Sequence, residues 1–309
     1  MNKKILAGIL VLIFGSINTG FAHIRHIGGV RNEAQTQQQE GVIKTIKVAG
    51  NVYMLEGQGG NIGVSVGEDG IAMIDTQFAP LAPKIKAALK ALGSEEPKFV
   101  FNTHWHGDHT GGNAEFGMKS FIIAHTNVRK RMMMGSSTPG RVIPAAPKLA
   151  LPFLTYEQSM NVHINGEDVR LVHFPKGHTD GDTFVFFPKS NVVHLGDQFF
   201  AGRFPFVDLN SGGTIQGLVQ NLTNVIAQLP ADVKIIPGHG PVSTLDDLKT
   251  YRQTIIETTD IVQKSMMSGK TLEQLKKEGL PAKYQSWGTG FIKTDRWIET
   301  IYNSYSKKN

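Results

Sequence analysis

Four side chains able to bind metal ions stand within one short segment: His104, His106, Asp108 and His109. An apolar stretch precedes them, and in an extended chain residues 104 and 106 project to the same side. Two imidazoles can then bind one metal ion. Gly107 lets the chain turn sharply, so we expect Asp108 and His109 to reach a second ion, as in two-metal hydrolases.

Three later residues are candidates for the ligands that one loop cannot supply. His178, Asp197 and His239 each follow a short apolar stretch, and glycine flanks each of them. Any one of them alone would more often be an ordinary loop residue, but their common placement after strands favours metal binding. The chain has no cysteine. A metal must therefore be bound by imidazole and carboxylate groups rather than by thiolates.

The order and spacing of four motifs resemble the metallo-β-lactamase superfamily: HWHGDH at 104–109, GHTDGD at 177–182, LGD at 195–197 and PGHG at 237–240. The resemblance spans about residues 41–240. It implies a four-layer αββα sandwich with the site at one edge of two sheets. It also implies one zinc bound by His104, His106 and His178, a second bound by Asp108, His109 and His239, and Asp197 bridging both.

Two zinc ions would make the chain a hydrolase. They lower the pKa of a shared water, so a metal-bridging hydroxide can attack a carbonyl-type small-molecule substrate such as a lactam, lactone or thioester. Asp108 is the expected catalytic residue, because its carboxylate can orient that water. The sequence has no GxSxG nucleophile elbow, because its GVSVG at 63–67 lies within a predicted strand rather than at a strand-to-helix turn, so serine catalysis is disfavoured.

Asp197 narrows the resemblance within the superfamily. Cysteine-bearing β-lactamases have Cys at this position, whereas a bridging Asp resembles glyoxalase-type thioesterases, lactonases and an exported cyclase-like, sulfur-oxidation-associated group. The stretches HTNVR at 125–129 and GRFPFVD at 202–208 look most like that exported group. Phe204, Phe206 and the loop 140–153 either shape a substrate pocket or pack beneath the sheet. Export would bring the protein into contact with β-lactam antibiotics, so these are one expected substrate class.

Two other functions stay open at this stage. Related scaffolds bind iron, and a single-iron sulfur dioxygenase is an alternative to the zinc hydrolase, with iron as the alternative cofactor. The third reading is a non-catalytic zinc-binding module.

The remaining histidines are expected not to bind metal: His23, His26, His125, His163, His173 and His194. His194 is predicted to have a core or ligand-supporting role. Asp75 and Asn113 are predicted to support the site without binding metal. Arg203 could pair with a substrate carboxylate, but solvation is the more ordinary role.

The elements that must position these residues begin after two N-terminal segments. Residues 1–22 have a positive start, an apolar run and small residues near a cleavage point, which predicts a signal peptide and a periplasmic or secreted protein. Residues 23–40 are polar and Gln-rich and are predicted to be a flexible leader. We expect no stable membrane association after cleavage. Removing Lys3 and Lys4 lowers the formal charge from +6 to +4, which disfavours nucleic acid as a partner.

Residues 41–309 are predicted to be one hydrolase domain with a C-terminal helical extension. Segments 42–55, 61–66 and 70–75 predict an antiparallel meander. Further strands are predicted at 98–102, 120–124, 168–174, 183–187, 191–195 and 233–236. Helices are predicted at 81–92, with Gly93 as its stop, and at 245–267, where Thr244 and Asp247 form a capping box. The alternation of strands and helices is typical of an α/β sandwich.

Overall fold

The computed structural model describes residues 41–138 and 141–306. The predicted signal peptide and leader lie outside these residues. In the described part, no helix combines the length and the apolar character needed to cross a bilayer.

The strands of the described ranges form two large sheets and one ribbon. A 7-stranded sheet has the order β1-β2-β3-β4-β5-β6-β9, a 5-stranded sheet has the order β10-β11-β12-β13-β14, and β7 pairs with β8. The strands are β1 (Lys44–Ala49), β2 (Val52–Glu56), β3 (Ile62–Gly67), β4 (Gly70–Ile74), β5 (Phe99–Phe101), β6 (Phe121–His125), β7 (Ser136–Thr138), β8 (Arg141–Ile143), β9 (Leu154–Tyr156), β10 (Ser159–Ile164), β11 (Glu167–His173), β12 (Thr183–Phe187), β13 (Val192–His194) and β14 (Lys234–Ile236).

The helices lie between and after these strands. They are α1 (Ala82–Leu92), α2 (Gly107–Thr110), α3 (Asn113–Phe116), α4 (Thr126–Met134), α5 (Ile215–Ile226), α6 (Leu245–Met267), α7 (Leu272–Glu278) and α8 (Thr294–Ser306). Short 3-10 turns occur at Ala79–Leu81, Lys148–Ala150, Gly196–Gln198, Leu209–Ser211 and Ala282–Thr289.

Three apolar clusters hold four layers together. Between the sheets, Ile74 and Phe101 pack with Leu171 and Val185 of the opposite sheet. On the outer face of the 7-stranded sheet, α1 buries its apolar stripe. On the outer face of the 5-stranded sheet, α5, α6 and α8 share a third cluster. The predicted αββα sandwich is confirmed.

Parallel pairing within each sheet places the carboxyl ends of β4, β5 and β6, and those of β13 and β14, at a common edge of their sheet. β5 runs parallel to β4 and β6, and β13 runs parallel to β14. The carboxyl ends of parallel strands leave the sheet on one side, which is where binding residues of such sheets gather.

The predicted end of α1 and the predicted start of α6 are confirmed. α1 ends at Gly93, whose φ of 139° disfavours a side chain. Thr244 and Asp247 form the predicted capping box of α6. The segment 42–55 instead contains two strands, because Gly50 turns the chain with a φ of 52°. Strand β10 was not predicted, since its polar residues alternate with few apolar ones on a mostly exposed edge.

Candidate metal centre

The structure brings all seven predicted metal-binding residues together at this edge. Their ligand atoms form two groups, and within each group the atoms lie within 4.8 Å of one another. The His178 group comprises His104, His106, His178 and Asp197; the His239 group comprises Asp108, His109, Asp197 and His239. Asp197 belongs to both groups.

The segment after β5 delivers four of these side chains through a short helix. His106 has extended backbone angles, φ −65° and ψ 149°, and caps the one-turn helix α2. The predicted reason for the turn at Gly107 is wrong. Gly107 is not among the residues with positive φ, and a Cβ there would meet nothing within 4 Å. The start of α2, rather than glycine's freedom, redirects the chain toward the second group.

The carboxylate of Asp197 presents one oxygen to each group. Oδ1 lies 3.0 Å from His109 Nε2 and 3.4 Å from His239 Nε2. Oδ2 lies 3.6 Å from His178 Nε2 and 3.8 Å from His104 Nε2. Ligands that surround one ion tetrahedrally at about 2.1 Å stand roughly 3.4 Å apart. The spacing therefore fits one ion on each side of Asp197.

Four of the five histidines use their outward ring nitrogen in another hydrogen bond. The pairs are His104 Nδ1 with Thr103 Oγ1 at 3.0 Å, His106 Nε2 with Asp208 Oδ2 at 2.9 Å, His109 Nδ1 with Asp75 Oδ2 at 2.7 Å, and His178 Nδ1 with the Phe206 carbonyl at 2.7 Å. Such outer bonds fix the ring and its tautomer, and they turn the other nitrogen toward the cluster, where His106 Nδ1 and His178 Nε2 lie 2.8 Å apart.

Unpartnered buried atoms test whether metal ions fit. Among the described residues, His104 Nε2, His109 Nε2 and Asp197 Oδ1 are buried without a hydrogen-bond partner. Each such atom costs about 1–3 kcal/mol unless something compensates it. Since all three point into the two groups, divalent metal ions match the donor set, and the residues form a metal-binding site.

Glycines provide the room behind the ligands. A Cβ at Gly60 would collide with the His109 ring, and one at Gly238 would collide with Asp197 Oδ1. Gly196, with a φ of 52°, sits directly before Asp197. Any side chain at positions 60 or 238 would displace a ligand.

The charges of the cluster differ from one group to the other. Burial lowers the pKa of His104, and it lowers the pKa of His178 to about 4, so both rings are neutral near pH 7. Burial opposes protonation of His239 as well, but Asp197 and Asp108 outweigh it and raise the pKa of His239 to about 9. Asp197 and Asp108 likewise raise the pKa of His109 against the effect of burial.

The two carboxyl groups among the ligands are ionised. Although burial raises the pKa of Asp108, His109 and a hydrogen bond from His239 lower it to about 2. The same two histidines hold the pKa of Asp197 well below its usual value despite its burial. Both carboxylates are thus available to a cation at neutral pH.

The cluster opens to solvent on one side. The side chains of Asp108 and His239 are 30% and 23% exposed, whereas those of Asp197 and His109 are 5% and 0% exposed. A substrate would approach from the Asp108 side.

Of the two phenylalanines that could either shape a pocket or pack in the core, one flanks the cluster and the other does not. The Phe206 ring lies 5.7 Å from the rings of His106 and His178. Phe204 is buried and stacks on Trp297 at 5.4 Å, so it packs in the core. In the loop 140–153, Ala146 and Leu151 pack near Trp105, the neighbour of His106.

The other histidines of the described ranges lie outside both groups. His194 is buried, with Nε2 3.0 Å from the Asn61 carbonyl, which matches its predicted core role. His125 and His173 stack at 3.7 Å. His163 is exposed and bonds to Asp168. His23 and His26 lie outside the described residues.

Of the residues predicted to support the site, one bonds directly to a metal-binding side chain and one does not. Asp75 bonds to His109 and to the Thr103 amide and hydroxyl groups. Asn113 bonds to Thr76, Asn102 and the Ala150 carbonyl, so it braces the loop and does not touch the ligand side chains in these bonds. Arg203 is half-buried.

Asp208 was not predicted. Asp208 ends the stretch 202–208, but its bond to His106 joins residues 102 positions apart. Phe206 supplies a backbone carbonyl, which has no sequence signature at all. Thr103 could have been suspected from its place beside His104.

Comparison with known proteins gives a family match. A model described as the metallo-beta-lactamase superfamily matches residues 48–239. Similar curated proteins include the hydroxyacylglutathione hydrolase of Brucella anthropi, 29% identical over 183 residues, which are 58% of this chain and 61% of that protein. The 2,4-dinitroanisole O-demethylase subunit alpha of Nocardioides sp. is 25% identical over 138 residues, or 44% of this chain and 40% of that subunit.

Solved structures agree on the fold. The sec-alkylsulfatase Pisa1 from Pseudomonas sp. has a TM-score of 0.63 at 14% identity, covering 85% of this chain and 50% of that one. DIM-1 metallo-beta-lactamase has a TM-score of 0.58 at 16% identity, covering 70% of this chain and 98% of that one. The chain spans only 40% to 61% of the length of the two curated relatives named above.

Proposed function

The chain belongs to the metallo-β-lactamase superfamily, and from this membership we propose that it is a binuclear zinc-dependent hydrolase of a carbonyl-type substrate. The observation that carries the proposal is the position of Asp197. Its two oxygens face two separate sets of ligand atoms, so each set forms a separate binding position with one shared carboxylate.

The residues of the chain divide the work at the open side. When bound, two zinc ions supply Lewis acidity and a hydroxide nucleophile near neutral pH. Asp108 is ionised and partly exposed, so its carboxylate can accept a hydrogen bond from the attacking water and orient it. The Phe206 ring forms an apolar wall beside His106 and His178, against which a small substrate can lie.

The iron-dependent alternative uses the site less completely. A single-iron dioxygenase needs only one ion. If that ion filled the His178 group, His109 Nε2 of the His239 group would stay buried without a partner. Two ions satisfy both groups. We therefore favour the binuclear hydrolase over the sulfur dioxygenase.

We propose acyl compounds, with thioesters first, as the substrate class. The relatives named as hydroxyacylglutathione hydrolases support this order, and lactones and β-lactams follow. We also propose that residues 1–22 direct export to the periplasm, as the resemblance to the exported cyclase-like group implies. The N-terminal sequence of protein recovered from a periplasmic fraction tests this, and a chain still starting at Met1 would contradict it.

The test of function is a substrate panel with zinc-loaded protein. Thioesters, lactones, β-lactams and phosphoesters are assayed, and we expect hydrolysis of at least one of the first three. Asp108→Asn should lower kcat/KM at least about 100-fold. Asp246→Asn is the matched control, because Asp246 is 88% exposed on α6, and it should leave activity unchanged.

Metal analysis separates the three readings. Two zinc ions per chain support the hydrolase. Stoichiometric iron without zinc would overturn it in favour of the dioxygenase. If the protein binds zinc but Asp108→Asn changes none of its measurable activities, the protein is a non-catalytic zinc-binding module.

A further inference from the structure

One loop, residues 204–213, supports two of the three histidines in the His178 group. Asp208 Oδ2 accepts from His106 Nε2, and the Phe206 carbonyl accepts from His178 Nδ1. We infer that this loop is a positioning element for one metal ion only, and that the C-terminal helices hold it in place. The inference rests on the proposed binuclear site.

Asp208 is fixed firmly enough to orient a ligand. Its Oδ2 accepts from Ser211 Oγ at 2.7 Å, and its Oδ1 accepts from the amides of Asn210 and Ser211, each at 3.1 Å. Its own amide donates to the His178 carbonyl at 2.9 Å. The carboxylate therefore cannot rotate away from His106 without breaking several bonds.

The loop is also joined to His178 in both directions. His178 donates through Nδ1 to the Phe206 carbonyl, and its own carbonyl accepts from the Asp208 amide. A further bond runs from the Asp180 amide to the Ser211 carbonyl at 2.9 Å. Movement of the loop must therefore move His178 as well as His106.

The C-terminal helices hold the start of this loop. The Phe204 amide donates to the Trp287 carbonyl at 3.0 Å, and the Phe204 ring stacks on Trp297 of α8. Trp297 is fully buried and donates through Nε1 to Thr258 of α6 at 3.0 Å. These helical residues follow residue 239, where the family match ends. The segment that holds the loop is therefore a part of the chain that the family match does not cover.

The His239 group has its support elsewhere. The outer nitrogen of His109 bonds to Asp75, which follows β4 in the other sheet. His239 Nε2 lies 3.2 Å from Asp108 Oδ2 and 3.4 Å from Asp197 Oδ1. Loss of the loop's contacts should therefore weaken one ion and spare the other.

The experiment measures zinc affinity and stoichiometry by competition with a chromophoric chelator, and the ligand field of each position with Co²⁺. Wild-type protein should bind two ions. Asp208→Ala should bind one ion with unchanged affinity and the other about 10–100-fold more weakly. Asp208→Asn retains an acceptor oxygen without the charge, so its loss should be smaller.

Asp168→Ala is the matched control. Asp168 also bonds to a histidine, His163, at 2.6 Å, but both side chains are 76% exposed and neither lies in the metal centre. Both zinc affinities should stay at the wild-type values.

A second variant tests the link to the C-terminal helices. Trp297→Leu should weaken the same ion as Asp208→Ala, by a smaller factor. Ile85→Ala, an equally buried change in α1 on the opposite side of the fold, should change neither zinc affinity.

The outcomes are distinct. A wild-type protein that binds fewer than two ions overturns the proposed function itself. Two ions in wild type together with unchanged affinities in Asp208→Ala, or equal weakening of both ions, overturns the inference alone. Normal binding of both ions by Trp297→Leu would show that the C-terminal helices do not hold the loop in place.

Discussion

The two groups of the metal centre contain similar residue types but are supported in different ways. Asp75, which orients His109, is 0% exposed and is fixed by the amide and hydroxyl of Thr103. Asp208, which orients His106, is 13% exposed and is fixed within its own loop. Removal of a supporting carboxylate inside the core should therefore cost more stability than removal of one that is held within a loop.

The largest effect should come from the one residue that the two groups share. Asp197→Ala removes an oxygen from each group, so the difference between them disappears. We expect fewer than one zinc ion per chain at stoichiometric loading and activity near background. Retention of one tightly bound ion would show that one group is complete without Asp197.

The next largest effect should be a loss of stability when the buried carboxylate of Asp75 is removed. Asp75→Ala removes the partner of a fully buried histidine, and breaking such a pair costs about 3–5 kcal/mol of unfolding free energy. Chemical denaturation of metal-free protein measures this, with Asp208→Ala, which removes a partly exposed carboxylate that caps a 3-10 turn, as the loop-side counterpart at about 1–2 kcal/mol. Asp75→Asn serves if the alanine variant does not fold. Equal losses for Asp75 and Asp208 variants would remove the contrast.

A smaller effect is the contribution of His125, which does not belong to either group, to the pH dependence of stability. His125 accepts from the Asn127 amide through Nδ1 and stacks on His173, and burial and His173 lower the pKa of His125 to about 4 from 6.5. Between pH 4 and 6.5, His125 is therefore protonated in the unfolded chain and neutral in the folded chain. Stability present above pH 6.5 is lost as the pH falls toward 4.

We expect this histidine to account for about 1–3 kcal/mol of that loss. Denaturation of metal-free protein in chelator, at pH 7 and pH 4.5, gives the difference, which His125→Gln should reduce. His163→Gln, an exposed replacement, should not change it. An identical pH dependence in wild type and His125→Gln would contradict the assignment.

The smallest effect lies far from both groups. Thr244 caps α6 together with Asp247, and losing a cap costs about 1 kcal/mol. Thr244→Ala should lower the unfolding free energy by that amount and leave both zinc affinities unchanged. A change in either affinity would mean that global stability alone affects the metal centre, which would weaken every comparison above.

Sequence reasoning reached the parts of this molecule that local chemistry determines. The C-terminal end of α1 follows from a glycine and the start of α6 from a capping box. Glycine after a short apolar stretch marks the three later ligands, His178, Asp197 and His239. Sequence reasoning missed the supporting contacts that no local pattern marks. Asp208 reaches His106 across 102 positions, and Phe206 acts through its backbone. Gly107 shows a different error, in which the right residues were found for the wrong conformational reason.

The glycines behind the ligands limit how this protein can evolve. Positions 60 and 238 tolerate no added carbon without moving His109 or Asp197, so the inner wall cannot be reshaped by gradual substitution. New substrate preferences must instead arise at the open side, through exchange or lengthening of loops. A selection experiment should therefore recover its gains in the loops and find almost no viable variants at these two glycines.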